Sequence, residues 1–220
     1  MLVISSHINY KQSLDDILAN LEGGGYNMAR VVVVIAGAPK FALYKNDAMG
    51  TFFIHMNLNF FELTAIAGVY YALNILPEAA QYLFIQDTAS PGPVFTVKAA
   101  AFLKHAETQG SDVYYASADN KCNIAALSRR FIETHGKAYA INADKGIAWQ
   151  AEHHGEYSFA TMAKENIIYA PDNAEWQPTL YKYPNSDIHR CPVYFKALDL
   201  MKLVGHNGDI NPPWQERVRP

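Results

Sequence analysis

Residues that could do chemistry lie where several apolar runs of this sequence end. Asp87 follows the apolar run 82–85 and Gln86, and a Pro-Gly turn comes next, so we expect its carboxylate at the rim of a sheet. That carboxylate could hold a divalent cation; the alternative is that Asp87 only caps the turn. Small residues at such ends would let a base or a ribose approach the backbone. Other residues at the ends of apolar runs are Ser5, Ser6, His7, Ala36, Gly37, Ser117, Ala118 and Asp119.

Apolar runs alternate with helix-like periodicity around these positions. Strands are predicted at residues 2–5, 31–35, 51–54, 82–85 and 113–116, with a weaker one at 139–141. Helices are predicted from a capping box at Ser13 to a stop at Gly23, and at residues 59–74, 97–107, 125–134 and 145–152. Asp15 and Asp16 then fall in the first turn of the first helix, as structural residues. Residues 171–187 read as irregular.

The alternation predicts an α/β fold with a mostly parallel sheet and helices on both faces. The β-branched run 31–35 has no polar alternation, which is typical of a strand buried on both faces. In such sheets ligands bind beyond the carboxyl ends of the strands, where the strand order reverses. We expect one domain over residues 1–204 and an extended tail or lid over 205–220.

Composition excludes several classes of protein. The chain has 220 residues, half of them hydrophobic, and a net charge of −3 with scattered basic residues, which argues against a nucleic-acid partner. Its apolar runs are far shorter than the roughly 20 residues that span a bilayer. The first residues lack a basic signal-peptide region, so we expect a cytoplasmic protein. Cys122 and Cys191 form no C-x-x-C pair and are expected to be buried thiols.

Familiar catalytic motifs are missing from the sequence. There is no Walker-type phosphate loop and no G-x-S-x-G elbow. The glycines at 23–25 precede a strand and lack dinucleotide-binding spacing. Glu152, His153 and His154 do not form H-E-x-x-H, although either histidine could reach a metal if that helix ends near Asp87. Most histidines are expected to be ordinary surface or half-buried residues.

Five segments together resemble small glycosyltransferases of the GT-A type, particularly the virus-encoded and bacterial kind. The segments are residues 4–10 with Ser13 and Leu14, 60–65, 82–88 with 92–95, 123–128, and 198–202. The resemblance implies a GT-A-like, Rossmann-like domain that moves a sugar, as a hexosyltransferase does, from a nucleotide-sugar donor to a glycan or another hydroxyl acceptor. A UDP-sugar is the favoured donor.

The resemblance also implies roles for individual residues. Asp87 takes the place of the carboxylate that holds Mn²⁺ or Mg²⁺ on the diphosphate. Glu152 resembles the acidic residue that some members use as general base; the alternative is a solvated glutamate at a helix end. The residues in nucleotide-contacting places are Ser5, Ser6, His7, Ala36, Gly37 and Asp87.

The sequence departs from the D-x-D pattern of that group after Asp87. Thr88 and Ala89 follow, so the second carboxylate is missing. This departure motivates an alternative reading, a catalytically degenerate module that binds a nucleotide or a glycan. A nucleotidyltransferase would be expected to carry a Gly-rich, Lys/Arg-bearing phosphate loop near the amino terminus, which this sequence does not have.

Overall fold

The protein was analysed as a computed structural model, which describes residues 1–60, 62–118, 124–143, 157–164, 166–176, 181–182 and 188–207. The strands are β1 (Leu2–His7), β2 (Val31–Ala36), β3 (Ala42–Lys45), β4 (Phe52–His55), β5 (Gln81–Gln86), β6 (Ala89–Pro91), β7 (Val113–Tyr115), β8 (Ala125–Ser128), β9 (Ile167–Tyr169), β10 (Glu175–Trp176), β11 (Tyr181–Lys182), β12 (Ile188–Phe195) and β13 (Leu200–Asn207). The helices are α1 (Lys11–Gly23), α2 (Thr64–Ala72), α3 (Phe95–Gln109), α4 (Arg129–His135) and α5 (Phe159–Ala163).

The main sheet has eight strands in the order β3-β4-β2-β1-β5-β8-β7-β9. Strands β4, β2, β1 and β5 pair in parallel, as do β7 and β9, whereas β3 and β8 run against the others. The chain moves outward from β1 to β2 and β4 and then returns with β5 on the other side of β1. The strand order therefore reverses between β1 and β5, and the predicted mostly parallel sheet is confirmed.

Helices cover both faces of this sheet. One face packs against α2, α4 and α5, and the opposite face packs against α1 and α3. The run Val31–Ala36 is buried along nearly its whole length, because helices cover it from both sides and no polar side chain interrupts it. The chain is thus a single α/β domain. Among the described residues, no helix has the length and the apolar character that a membrane span requires.

A smaller antiparallel sheet packs on the α1/α3 face. Its strand order is β10-β12-β13-β6, and β11 pairs with β12. Apolar residues of β12 and β13, among them Val193, Phe195 and Leu200, join the same core cluster as α1 and α3. Because β6 follows β5 after only two residues, the end of β5 leads directly into the small sheet.

Three local predictions are wrong. Helix α1 starts at Lys11, so Ser13, Asp15 and Asp16 lie inside it rather than at its cap. Asp15 instead pairs with Lys11, and Asp16 accepts a hydrogen bond of 2.8 Å from Gln12, contacts between residues four apart that stabilise a helix along its side.

The other two errors concern the second half of the chain. Residues 125–134 are not one helix, because Ala125–Ser128 form β8 between β5 and β7 and the helix starts only at Arg129. Residues 139–141 are not a strand, since Gly136–Tyr139 form a 3-10 turn that continues α4. The predicted helix 145–152 lies outside the described residues.

Candidate functional site

The candidate site lies at the carboxyl ends of β1 and β5, where the strand order reverses. Ser5 pairs with Gln86 in the register of the two strands, and the Asp87 N–H continues the ladder with a hydrogen bond of 2.9 Å to the Ser5 carbonyl. Side chains alternate between the faces of a sheet. Ser6 and Asp87 therefore share the α1/α3 face, while Ser5 and Gln86 share the α2 face.

Asp87 is a buried carboxylate held by a serine of the neighbouring strand. Its side chain belongs to a residue only 7% exposed, and the Ser6 hydroxyl donates a hydrogen bond of 2.7 Å to its Oδ2. The preceding residues on this face, Ile4 and Ile85, are buried in the core. The apolar strands thus carry the carboxylate to the rim of the sheet and fix its position there.

Lys202 is a buried cation at the same place, and sequence reasoning missed it. It lies in β13 opposite Ala89 of β6, is only 6% exposed, and donates a hydrogen bond from Nζ to the Thr88 hydroxyl. Strand alternation could not have found it, because Leu198 lies in the turn 196–199 and only Leu200 precedes Lys202 at an alternate position of β13.

A short turn supports the strand that carries Lys202. The Gly92 N–H donates to the Asp199 carbonyl, and Val94 N–H donates to Asp199 Oδ2 at 2.9 Å. The Tyr194 hydroxyl donates to Asp199 Oδ1, and this hydrogen bond raises the pKa of Tyr194. A Cβ at Gly92 would lie 2.4 Å from the Asp199 carboxylate, so the turn accepts only glycine there without rearrangement.

The α2 face of the same edge contains a small pocket that is mostly apolar and has a few polar groups in its lining. Its described lining includes Ser5, Glu62, Gln86 and Phe159, and its cavity of about 20 Å³ offers room for about one water molecule. The Ser5 hydroxyl donates to the Glu62 carbonyl at 3.3 Å, and Gln86 Nε2 donates to the Glu62 carboxylate at 3.4 Å. Glu62 is thus a second carboxylate at the edge, which the sequence analysis treated only as the start of a helix.

The ends of β1 and β2 meet at His7 and Gly37. His7 pairs with Ala36 in the strand register, and its Nδ1 accepts a hydrogen bond of 3.2 Å from the Asn9 N–H. The proton of the neutral ring is therefore on Nε2. Gly37 has φ +74°, and a Cβ there would lie 2.6 Å from His7 Nε2. The space that a side chain would fill at Gly37 is thus occupied by the imidazole.

The structure brings most of the predicted site residues to one edge. The residues that lie at the ends of adjacent strands β5, β1 and β2 are Asp87, Ser5, Ser6, His7, Ala36 and Gly37. Their side chains divide between the two faces, because Ser5 bonds toward α2 and Ser6 bonds toward Asp87. Glu152, His153, His154 and Asp119 lie outside the described residues.

The described residues do not complete a divalent-cation site at Asp87. Within the described ranges, no three His, Cys, Asp or Glu side chains come together as a metal site. Asp87 and Lys202 are both buried at this edge, and the Lys202 ammonium contacts Thr88, the residue that follows Asp87. The binding of a metal at Asp87 stays a prediction.

The arrangement offers an anion and a cation to one ligand. The Asp87 carboxylate can accept hydrogen bonds from ligand hydroxyls, and an ammonium such as that of Lys202 can stabilise a phosphate oxygen. Lys202 lies within β13, and Asp87 directly follows β5, so strands position both groups. A ligand with a phosphate and hydroxyl groups fits this chemistry.

Comparison with known proteins adds a structural likeness. No family model matches the chain, and no curated protein matches it. A solved structure, the glycosyltransferase GlyE of Streptococcus pneumoniae, is similar with a TM-score of 0.40 and 10% sequence identity. The similarity covers 77% of this chain and 45% of that one, so the chain spans less than half of the length of GlyE.

Proposed function

We propose that this protein is a glycosyltransferase that moves a sugar from a nucleotide-sugar donor, with UDP-sugars favoured, to a hydroxyl acceptor. The observation that carries the proposal is the buried Asp87 carboxylate, held by Ser6 between β1 and β5. In open α/β sheets this position, beyond the carboxyl ends at the reversal of strand order, is where nucleotides bind.

The neighbouring residues suit a nucleotide. Ala36 ends β2 with a small side chain, and His7 presents a flat ring beside Gly37. We propose that the nucleotide contacts this edge, with Asp87 accepting hydrogen bonds from hydroxyl groups of the donor. The proposed contact residues are Ser5, Ser6, His7, Ala36, Gly37 and Asp87.

The proposed reaction is a substitution at the anomeric carbon of the donor sugar. The acceptor oxygen forms a bond to this carbon while the bond from the carbon to the diphosphate oxygen breaks. The bonding electron pair leaves with that oxygen as nucleoside diphosphate, and the acceptor proton passes to a carboxylate base, for which we propose Glu152. The enzyme must therefore stabilise negative charge on the leaving phosphate.

The test is the release of nucleoside diphosphate from a panel of nucleotide sugars, combined with thermal-shift measurements with UDP, GDP, CDP and dTDP. A ligand that binds only the native state raises the unfolding temperature by mass action. We expect one nucleotide to stabilise the protein and its sugar derivative to be turned over, slowly by water and faster with acceptor.

The matched variants are Asp87→Asn and Asp112→Asn. Both replace a largely buried carboxylate that accepts a hydrogen bond from a serine. Asp112, however, precedes β7 and so lies at the opposite end of the parallel strands from Asp87. Asp87→Asn should lose nucleotide binding and Asp112→Asn should keep it. Binding without any turnover would support the alternative of a catalytically degenerate nucleotide-binding module. No nucleotide binding by the wild type would refute the glycosyltransferase and leave the glycan-binding form of that alternative.

A further inference from the structure

A buried ammonium is costly, and Lys202 is one. Lys202 is 6% exposed, and its neighbour at the alternate position of β13, Leu200, is fully buried. Removing an ammonium from water costs several kcal/mol unless opposite charge and hydrogen bonds compensate it. A leucine at this position would bury apolar surface at no such cost. The hydrogen bond to the Thr88 hydroxyl holds this ammonium at a defined point in the fold.

The pairing of β13 with β6 places the Lys202 ammonium next to the end of β5. Strand β6 pairs with β13 so that Ala89 lies opposite Lys202, and the ammonium donates to the hydroxyl of Thr88. Thr88 directly follows Asp87, which the Ser6 hydroxyl holds at the rim of the sheet. The lysine therefore reaches the two-residue link between the main sheet and the small sheet, at the edge where the site lies.

We propose that Lys202 supplies the positive charge that binds the diphosphate of the donor, so that nucleotide binding needs no divalent cation. The inference rests on the proposed function and names the group that meets its phosphates. When the bond to the sugar breaks, the electron pair stays on the leaving phosphate oxygen. The Lys202 ammonium keeps its protons and donates a hydrogen bond to the charge that develops there.

The composition of the site supports an ammonium in this role. A second carboxylate is missing after Asp87, because Thr88 and Ala89 follow it. The Thr88 hydroxyl instead accepts a hydrogen bond from Lys202. A cation that the protein itself fixes at this point takes the role of a mobile divalent cation.

The experiment is calorimetric titration of the full chain with UDP, GDP, CDP and dTDP, in EDTA and again with Mn²⁺. The variants are Lys202→Met, Lys202→Arg and Lys196→Met; Lys196 is an exposed lysine close in sequence and serves as the control. The nucleoside of the diphosphate that binds, such as uridine, is titrated as a probe without phosphates. Thermal unfolding checks that each variant folds, and Lys202→Gln replaces Lys202→Met if the latter does not.

We expect the wild type to bind one diphosphate equally well in EDTA and in Mn²⁺. Lys202→Met should weaken this binding about 10- to 100-fold, the range for losing a hydrogen bond to a charged group, and leave nucleoside binding unchanged. Lys202→Arg should keep most of the affinity, and Lys196→Met all of it.

Two results would overturn the inference while leaving the proposed function intact. One is wild-type binding that requires Mn²⁺, and the other is a Lys202→Met variant that binds the diphosphate as tightly as the wild type does. An equal loss of nucleoside and diphosphate binding would assign Lys202 a structural role only. If no nucleotide binds to the wild type, the proposed function itself fails.

Discussion

The Ser6 hydroxyl donates a hydrogen bond of 2.7 Å to Oδ2 of Asp87. The two residues lie at the ends of adjacent parallel strands and are 81 positions apart in the chain. Both residues are less than a tenth exposed. A carboxylate with a fixed donor on one oxygen has a defined orientation, which leaves its other oxygen in a constant position. This is the property that a binding site for ligand hydroxyls requires.

The first prediction concerns this hydrogen bond. Ser6→Ala removes the donor from a buried acceptor and should lower the free energy of unfolding by about 1–3 kcal/mol. It should also weaken nucleotide binding, because Asp87 loses its fixed orientation. Urea unfolding and calorimetry measure the two effects.

Ser128→Ala is the matched control for Ser6→Ala. Ser128 donates a hydrogen bond of 2.6 Å to Asp112 at the other edge of the sheet and also caps α4. The substitution Ser128→Ala should lower the free energy of unfolding at least as much as Ser6→Ala does, and it should leave nucleotide affinity unchanged. Equal nucleotide affinity in Ser6→Ala and the wild type would contradict the role of this hydrogen bond.

The second prediction concerns Gly37 and the imidazole beside it. Gly25 and Gly37 have similar left-handed backbones, with φ of +71° and +74°, but a Cβ at Gly25 meets no atom within 4 Å. Gly25→Ala should therefore cost only the backbone strain, about 1–2 kcal/mol. Gly37→Ala should cost more, because the new Cβ also displaces the His7 ring.

A double-mutant cycle separates these two costs. In a His7→Ala background, the cost of Gly37→Ala should fall to that of Gly25→Ala, with an interaction energy of about 0.5–2 kcal/mol between positions 7 and 37. Chemical denaturation of the four variants measures it. Strictly additive effects would show that the ring moves aside without cost.

The third prediction concerns the general base. Glu152→Gln should keep donor binding and lower kcat by about 10²- to 10⁴-fold, the usual contribution of a positioned base. Glu133→Gln is the control, because Glu133 is a half-exposed carboxylate that pairs with Arg129. Steady-state kinetics with a saturating donor make the comparison. Wild-type kcat in Glu152→Gln together with an inactive Glu62→Gln would transfer the role to the carboxylate of the α2-face pocket.

The fourth prediction is a pH dependence of stability that arises at Asp112. Burial alone would raise the pKa of Asp112, but hydrogen bonds from Arg130, Ser128 and Asn166 outweigh burial and hold the pKa below its ordinary value of 3.8. Near that pH the unfolded chain binds more protons than the folded chain does. This contribution to stability is therefore complete above the ordinary pKa and is lost as the pH falls through the pKa that Asp112 has in the folded state.

Asp112→Asn makes this contribution measurable. At pH 6 the variant should be less stable than the wild type, by about 1–2 kcal/mol, because the donors lose a charged acceptor. The difference between the two proteins should shrink as the pH falls below the ordinary pKa and through the lowered pKa of the folded state, where the wild-type carboxyl becomes protonated as well. Urea unfolding at several pH values tests this, and a difference that stays constant with pH would contradict it.

The parts of the site that follow from local sequence were predictable. Ser6 and Asp87 each end an apolar run, and the ends of parallel strands meet at one edge, so their proximity followed from the alternation of strands and helices. Lys202 could not be placed in the same way. Its position depends on the pairing of β13 with β6, which joins residues more than a hundred positions apart and has no local signature.

The error at β8 has a similar origin. The small and apolar residues Ala125–Leu127 suit a helix, and no turn residue separates them from Arg129. All four residues of β8 are buried between β5 and β7, where each can bond to strands on both sides. Long-range pairing thus outweighs the helix propensity of alanine and leucine, which is worth only tenths of a kcal/mol per residue.

The pairing of β6 with β13 also sets an order of events during synthesis of the chain. Thr88 and Lys202 are 114 residues apart, so at ordinary translation rates roughly 6–23 s separate their appearance. During that interval Asp87 can already accept its hydrogen bond from Ser6, while β6 does not yet have its partner strand β13. A nascent chain released before β13 would carry the parallel strands and lack Lys202, the residue for which we propose the contact with the diphosphate.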